Sequence, residues 1–232
     1  MFVTKKIPRF LSVEAYRSLR TSIKFSSIDK PIKTIVVTSS LVGEGKSTVV
    51  GNLAYSLSQD GARVLVIDCD LRKPSIHENF LLSNEKGLTD VLFGKSDLKG
   101  VTKKIEDSLF LITAGTILPN PPEILGSKEM ENLIKELKIN FDYIILDTPP
   151  ILPVTDSKLL AIKADATVVV VRSEVSKSKH VSQAFKELEK VNANIIGTIL
   201  NDVEMYSEKL YYDYSNKSKK SKFINLRNVI KI

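Results

Sequence analysis

The 232-residue chain has a single cysteine, Cys69, and no tryptophan. One cysteine excludes an intramolecular disulfide and a cysteine-ligated metal cluster within one chain. No apolar run is long enough to cross a bilayer, and the residues after Met1 lack the pattern of a secretory signal, so we expect a cytosolic protein. Hydrophobic residues make up 43% of the sequence, which is enough for one domain with a full core.

The net charge of +7 is concentrated at the two ends of the chain. Residues 1–33 carry eight Lys/Arg and two Asp/Glu, and residues 209–232 carry seven and one, so each end has a net charge of +6. Residues 34–208 therefore carry −5 and give no reason to expect nucleic-acid binding. Basic ends of this kind are usually solvated tails, and contact with a membrane or a partner is the alternative.

The segment 39–48, SSLVGEGKST, lies between a β-branched run at 34–38 and apolar residues at helical spacing over 49–57. A glycine-containing turn between a strand and a helix presents unpaired N–H groups and the positive end of the helix dipole, which suits a polyphosphate. The segment therefore predicts a phosphate-binding loop. Its predicted nucleotide-binding residues are Gly43, Glu44, Gly45, Lys46, Ser47 and Thr48.

Two residues of this loop predict the chemistry of the site. Lys46 can reach the β- and γ-phosphates, and the Ser47 hydroxyl can bind Mg²⁺. The first glycine of the G-x-x-x-x-G-K-[ST] motif is replaced by Ser40. A chance glycine turn that opens a helix is the alternative interpretation.

Carboxylates follow two further apolar runs, 64–67 and 143–146. Continuous apolar runs indicate strands that are covered on both faces of a parallel sheet, and ligands bind at the carboxyl edge of such sheets. Asp68 and Asp70 follow the first run, and Asp147 follows the second. Each alone could be a turn former or helix cap. Together with a phosphate loop, they indicate nucleotide chemistry, which needs a metal opposite the phosphates.

The remaining periodicity predicts alternating helices and strands, and therefore an α/β fold of three layers with a mainly parallel sheet. Residues 71–108 are predicted to be irregular to helical, with the best helical turn at 87–92. The first predicted helix runs from Val13 to about Ser26, and the second runs from the phosphate loop to about Asp60, with Gly61 as its C-terminal cap. Two more predicted helices are one that Ser127 caps and one around 181–188. Predicted strands cover 34–38, 63–67, 109–112, 143–146, 166–171 and 195–200.

With these motifs, the chain resembles the bacterial tyrosine kinases of capsule and exopolysaccharide assembly in their free-standing cytoplasmic form. Their loop motif G-E-G-K-[ST] matches 43–47, and their D-x-P-P motif matches 147–150. Their D-x-D-x-R motif is matched by Asp68, Asp70 and Arg72, their N-terminal E-x-x-R-x-x-R motif by Glu14, Arg17 and Arg20, and their tyrosine cluster by Tyr206, Tyr211, Tyr212 and Tyr214.

The resemblance implies a P-loop NTPase fold of the MinD/ParA-like (SIMIBI) branch, with ATP and Mg²⁺ as cofactors. Residues 1–205 would form the kinase domain with its N-terminal assembly helix, and residues 206–232 would form the tyrosine-cluster tail. Ser47, Asp68 and Asp147 would bind the magnesium, and Asp68 is also the candidate base. The implied catalytic residues are Lys46, Asp68, Asp70 and Asp147. Asn201 would contact adenine, although asparagine commonly ends strands.

The resemblance also implies partners. Glu14, Arg17 and Arg20 would join subunits into a homo-oligomeric ring, while an exposed, salt-bridged helix face is the plain alternative. A membrane-embedded activator would bring the chain to the inner face of the cell membrane, and a cognate tyrosine phosphatase is expected. Arg72 is undecided between recognition of the tail and support of the fold.

The tyrosine cluster is the implied phosphoacceptor. The spacing of Tyr211, Tyr212 and Tyr214 fits neither one helical face nor strand alternation, although packing as an apolar face is the alternative. A phenol with a pKa near 10 must lose its proton as it attacks, which requires a positioned carboxylate. In the family this cluster usually ends the chain, whereas here residues 215–232 follow it.

Two other functions remain open from the residues. A MinD/ParA-like regulatory ATPase would hydrolyse ATP with water, but Leu41 stands where that group has a second lysine. A scaffold that binds nucleotide without turnover would not need the tyrosine cluster. The H-R-D and D-F-G motifs of eukaryotic-type kinases are absent.

Overall fold

The structure is a computed structural model that describes residues 10–27, 30–117 and 119–203. The four tyrosines of the cluster lie outside the described residues. In the described part, one seven-stranded sheet has the order β3-β4-β2-β5-β1-β6-β7. Neighbouring strands are parallel except for the antiparallel pair β3–β4. The strands are β1 Thr34–Ser39, β2 Val64–Asp68, β3 Lys103–Glu106, β4 Leu109–Ile112, β5 Tyr143–Asp147, β6 Ala166–Arg172 and β7 Ile195–Asn201.

Helices cover both faces of this sheet, as the three-layer prediction requires. The described helices are α1 Phe10–Ser26, α2 Lys46–Ser58, α3 Ile76–Phe80, α4 Leu88–Leu92, α5 Leu98–Val101, α6 Pro121–Gly126, α7 Lys128–Asn140, α8 Asp156–Lys163 and α9 Ser178–Glu189. None of the helices within the described ranges is long and apolar enough to span a bilayer.

The central strands are apolar throughout because each of their faces meets a different helix layer. Ile35 and Val37 of β1 belong to the core beneath α1 and α2, whereas Val36 between them belongs to the core beneath α7. Every residue of β1 and β2 is buried. The α/β fold with a mainly parallel sheet is therefore confirmed.

The start of α7 follows its predicted cap. The Ser127 side chain accepts a hydrogen bond from the Met130 N–H at 3.2 Å, and the predicted apolar stripe lies in the core. A serine at this position satisfies one of the N–H groups that the first helical turn leaves unpaired.

The sequence patterns missed three elements, namely the strand β3 and the helices α6 and α8. The antiparallel strand β3 was missed within the segment 71–108, because KKIE is charged and only partly buried at the sheet edge. Helix α8 was also missed, since it is short and only weakly amphipathic. Helix α2 ends at Ser58 rather than near Asp60, and Gly61 adopts a left-handed conformation (φ = +85°) just beyond it.

Candidate nucleotide and magnesium site

The phosphate loop, residues 40–45, joins the end of β1 to the first residue of α2 at the carboxyl edge of the sheet. Gly43 and Gly45 have φ angles of +84° and +91°, which glycine adopts without steric cost. A Cβ on Gly45 would lie 2.0 Å from the Asn201 Nδ2 atom, so a larger residue does not fit there. The N-terminus of α2 carries no side-chain cap and can receive an anion.

The structure explains why the loop tolerates serine in place of its first glycine. Ser40 is not among the described residues with positive φ. Its hydroxyl donates to the two carboxylate oxygens of Glu44 at 2.7 and 3.0 Å. The Ser40 side chain therefore adds hydrogen bonds within the loop that a glycine at this position could not make.

Glu44 was predicted to bind nucleotide, but its carboxylate points into the loop itself. It is 2% exposed and accepts hydrogen bonds from the Leu41 N–H at 3.0 Å and from the Ser176 hydroxyl. Burial alone would raise the pKa of Glu44, yet the hydrogen bonds from Ser176, Leu41 and Ser40 lower it overall. Only the backbone of Glu44 is left to face a phosphate.

Lys46 and Ser47 begin α2 and lie beside the predicted acids. Lys46 is 8% exposed, and its positive charge opposes the effect of burial, which raises the pKa values of both Asp70 and Asp147. The Ser47 Oγ lies 2.9 Å from the Ser75 Oγ, in the segment that leads into α3. The loop that would bind phosphates and the acids that would bind a metal therefore meet at one place.

Asp68 and Asp147 are direct neighbours, because they are paired in the parallel register of β2 and β5. Their exposed fractions are 0% and 1%. The Asp68 carboxylate accepts hydrogen bonds from the N–H groups of Asp70, Ser75 and Ile76 at 3.1 to 3.2 Å. Both carboxylate oxygens of Asp147 are buried without a hydrogen-bond partner among the described residues.

The electrostatics of this acidic pair are unfavourable without a cation. Burial, and then the charge of Asp147, raise the pKa of Asp68 well above its usual range. Burial also raises the pKa of Asp147 to about 7, against the lowering effects of nearby Ser47 and Lys46. Two buried acids that repel one another indicate a site that a divalent cation would neutralise.

Asp70 lies at the side of this pair and is partly buried. Its carboxylate accepts a hydrogen bond from the Lys73 N–H at 2.9 Å. Burial raises the pKa of Asp70, although the Lys73 N–H and the Lys46 charge oppose this effect. Asp70 is therefore close enough to the site for the Lys46 charge to act on it. Its own hydrogen bond is to the backbone N–H of Lys73.

The donor set fits Mg²⁺. In the described ranges, no three His, Cys, Asp or Glu side chains form a complete protein-only metal site. Magnesium usually takes one or two carboxylates and completes its shell with waters and substrate phosphates. The Ser47 hydroxyl, the adjacent Asp68 and the Asp147 oxygens, which have no hydrogen-bond partner in the part of the chain that the structure describes, provide such a partial shell beside the phosphate loop.

Arg72 makes a contact that supports the fold, which was one of the two alternatives left open by the sequence. Its Nε and Nη2 atoms donate to the two carboxylate oxygens of Asp156 at 2.9 and 3.1 Å. Asp156 is fully buried at the start of α8, and the ion pair raises the pKa of Arg72. The pair fixes the segment after β2 to the segment after β5.

The sequence analysis missed two residues, Arg172 and Ser176, that contact the phosphate loop from the β6–β7 side. Arg172 donates to the Gly43 carbonyl at 3.2 Å and pairs with Asp202 at 2.8 Å, and Ser176 donates to Glu44. No local motif marks these residues. The signal lies in the strand order, which places β6 next to β1 and so brings the end of β6 beside the loop.

The three residues of the N-terminal motif lie in different environments. Arg17 pairs with Glu14 on the exposed side of α1. Arg20 instead faces its own chain, where it donates to the Ser56 carbonyl at 2.8 Å and lies 3.5 Å from Asp60. Arg20 therefore fixes α1 to α2, whereas Arg17 and Glu14 remain on the surface.

Comparisons with known proteins identify the family of this chain. Residues 32–201 match the family model described as an AAA domain. Tyrosine-protein kinase YwqD of Bacillus subtilis is 40% identical over 211 residues, which cover 90% of this chain and 89% of that protein. Putative tyrosine-protein kinase CapB of Staphylococcus aureus is 33% identical over 208 residues, which cover 89% and 91% of the two chains.

Solved structures agree at the level of the fold. The crystal structure of the chimerical protein CapA2B2 superposes with a TM-score of 0.82 at 35% identity, covering 87% of this chain and 88% of that one. The septum site-determining protein MinD of Pyrococcus horikoshii, complexed with Mg-ADP, has a TM-score of 0.61 at 24% identity, covers 72% and 69% of the two chains, and supports the fold alone. On its fold, its family match and its 40% identity to a tyrosine-protein kinase over 90% of its length, the chain belongs to the bacterial tyrosine-protein kinases.

Proposed function

We propose that this chain is an ATP- and Mg²⁺-dependent protein-tyrosine autokinase, which phosphorylates its own C-terminal tyrosine cluster. The observation that carries the proposal is the pair of buried acids beside the phosphate loop, in which neither carboxylate oxygen of Asp147 has a hydrogen-bond partner among the described residues. A buried acidic pair of this kind costs stability unless a cation binds there. The cation and nucleotide would be Mg²⁺ and ATP, as in the family.

The loop and the acids have separate roles in this proposal. The N–H groups of residues 43–48 and the Lys46 ammonium would hold the phosphates and stabilise charge that develops on them. Ser47, Asp68 and Asp147 would hold Mg²⁺, which when bound neutralises charge on the β- and γ-phosphates. Asp70 would assist through a water molecule.

The proposed transfer step needs a carboxylate, Asp68, beside the tyrosine that accepts the phosphoryl group. A bond forms between the tyrosine oxygen and the γ-phosphorus while the bond from that phosphorus to the β,γ-bridging oxygen breaks, and ADP leaves. The phenol proton passes to a carboxylate, for which Asp68 is the candidate, or Asp68 orients the acceptor through the metal shell. The amide donors at 3.1 to 3.2 Å hold the Asp68 carboxylate in one orientation.

The proposed acceptors, Tyr206, Tyr211, Tyr212 and Tyr214, lie outside the described residues. The chain before them ends β7 at the edge of the sheet that carries the site, where Asn201 abuts Gly45. Residues 201–203, the last that the structure describes, therefore lie next to the proposed nucleotide site. Asn201 is also our candidate for the contact with adenine.

Mass spectrometry of the chain after incubation with ATP and Mg²⁺ tests the proposal, using Lys46→Met as the matched inactive variant. Phosphate on one or more of the four tyrosines of the wild-type chain, and its loss in the variant, is the expected result. ADP release from an unmodified chain would instead favour a MinD/ParA-like regulatory ATPase. The same reaction with a membrane-embedded activator present tests whether the activator stimulates transfer.

We also propose the regulatory setting that the family suggests. The kinase would assemble as a homo-oligomeric ring and bind a membrane-embedded activator at the inner face of the membrane. A cognate phosphatase would reverse the modification, and the cycle would regulate synthesis and export of a capsular polysaccharide or exopolysaccharide. The exposed pair Glu14 and Arg17 is the better candidate for a subunit contact, because Arg20 already bonds its own chain.

A further inference from the structure

The Glu44 side chain presents a physical problem that the proposed function leaves unsolved. It is an ionised carboxylate, buried within the loop that would bind the negatively charged phosphates. A buried charge is costly unless hydrogen bonds compensate for it. Two of its donors, Ser40 and Leu41, lie in the same segment, but the third is the Ser176 hydroxyl from the connection between β6 and α9.

Two further bonds join the loop to the same side of the molecule. The Arg172 Nη1 donates to the Gly43 carbonyl at 3.2 Å, while its Nε and Nη2 hold Asp202 at 2.9 and 2.8 Å. The Asn201 Nδ2 donates to the Glu44 carbonyl at 3.1 Å. Side chains from the ends of β6 and β7 therefore bind two successive carbonyls of the loop.

Engaging these carbonyls has a consequence for the amides. In a trans peptide the C=O and N–H bonds point in opposite directions, and the described residues contain no cis peptide. The carbonyls of Gly43 and Glu44 belong to the same peptide units as the N–H groups of Glu44 and Gly45. Donors that hold the carbonyls on the β6–β7 side therefore turn these N–H groups to the opposite side, where an anion can accept them.

We propose that Glu44, Arg172 and Ser176 are positioning residues that preset the amides of the phosphate loop for the nucleotide phosphates. We call these three residues and their bonds to the loop the loop brace. The inference rests on the proposed binding of nucleotide at this loop. It assigns the glutamate of the G-E-G-K motif to the geometry of the loop, with no contact to the reacting atoms.

The most direct test compares Ser176→Ala with Ser176→Thr, because only threonine keeps the hydroxyl. Affinity is measured with a fluorescent ADP analogue in the presence of Mg²⁺, at a temperature where all variants are folded. We expect Ser176→Ala and Glu44→Gln each to weaken binding about tenfold, as for the loss of a hydrogen bond to a charged group, and Ser176→Thr to recover most of the affinity.

Two additional measurements separate positioning from general stability. The double variant of Glu44→Gln and Ser176→Ala should bind no more weakly than whichever single variant has the lower affinity, because both changes act on the same Ser176–Glu44 hydrogen bond. Arg172→Met should raise KM for ATP more than it lowers kcat. The matched control is Glu131→Gln, a carboxylate paired with Lys128 and Lys135 on the surface of α7, which should leave affinity unchanged.

The possible results are distinguishable. Wild-type affinity in Ser176→Ala, Glu44→Gln and Arg172→Met would overturn the loop brace and leave the proposed function standing. A lower melting temperature of these variants with unchanged affinity would also overturn it, since their role would then be structural only. Failure of the wild-type chain itself to bind the nucleotide would refute both proposals.

Discussion

Asp147→Asn should stabilise the nucleotide-free protein while it abolishes function. In the folded chain, burial raises the pKa of Asp147 from 3.8 to about 7. The folded state therefore keeps a proton that the unfolded state has already released between these two pH values. Stability from this group is present at low pH and is lost as the pH rises through the folded pKa.

The magnitude follows from the size of the shift. Each unit of pKa difference corresponds to about 1.4 kcal/mol, so ionisation of Asp147 costs up to about 4 kcal/mol of unfolding free energy above pH 7. Asparagine has nearly the same shape and carries no charge. The substitution also removes the repulsion between the two carboxylates, which lowers the free-energy cost of ionising the adjacent Asp68.

Urea denaturation without Mg²⁺ or nucleotide, at several values between pH 4.5 and 8, measures the effect. The free-energy gain of Asp147→Asn over the wild type should grow as pH rises toward about 7 and then remain level. The control is Asp107→Asn, because Lys104 lowers the pKa of this exposed acid and its removal should bring no gain at neutral pH. A gain that does not change with pH, or a loss at pH 8, would refute the electrostatic account of the site.

Three further predictions concern other contacts. Lys46→Met should reduce the rate of tyrosine phosphorylation by about 10² to 10³ while the far-UV circular dichroism stays unchanged; a smaller effect would exclude Lys46 from charge stabilisation. Arg72→Ala should lower the unfolding free energy by roughly 3 kcal/mol, because it strands the buried Asp156 carboxylate, and Arg72→Met with Asp156→Leu should recover part of it in urea titrations. Arg20→Glu should destabilise the chain through loss of its bonds to α2, whereas Arg17→Glu should lower the mass in light scattering without lowering the melting temperature. Unchanged mass in Arg17→Glu would remove this residue from subunit assembly.

The sequence predicts the elements of the site because each motif is a short local segment and because the position of ligand sites in parallel sheets follows a general rule. Parallel strands place their carboxyl ends at one edge, so the acids after two buried runs and the loop after a third had to meet there. The register of β2 and β5 confirms this by pairing Asp68 with Asp147. Strand β3 escaped prediction because a charged, partly buried strand at the edge of the sheet lacks the apolar pattern.

Contacts between distant segments could not be predicted in this way. The partner of Arg72 is Asp156, 84 positions away, and nothing near either residue marks the other. The G-E-G-K motif predicts that Glu44 binds nucleotide. Its hydrogen bond from Ser176 becomes visible only with the strand order, which brings Ser176 beside the loop. The replacement of a glycine by Ser40 likewise becomes clear only once its hydroxyl is seen to bond Glu44.

The most direct test of the central claim follows labelled γ-phosphate from ATP and Mg²⁺ into two products, phosphotyrosine and free phosphate, over one time course. If the acidic pair and the phosphate loop form a tyrosine kinase site, label accumulates on tyrosine in the wild-type chain and fails to accumulate in Asp147→Asn. Label released wholly as free phosphate, with tyrosine unmodified even when the activator is present, would contradict the account.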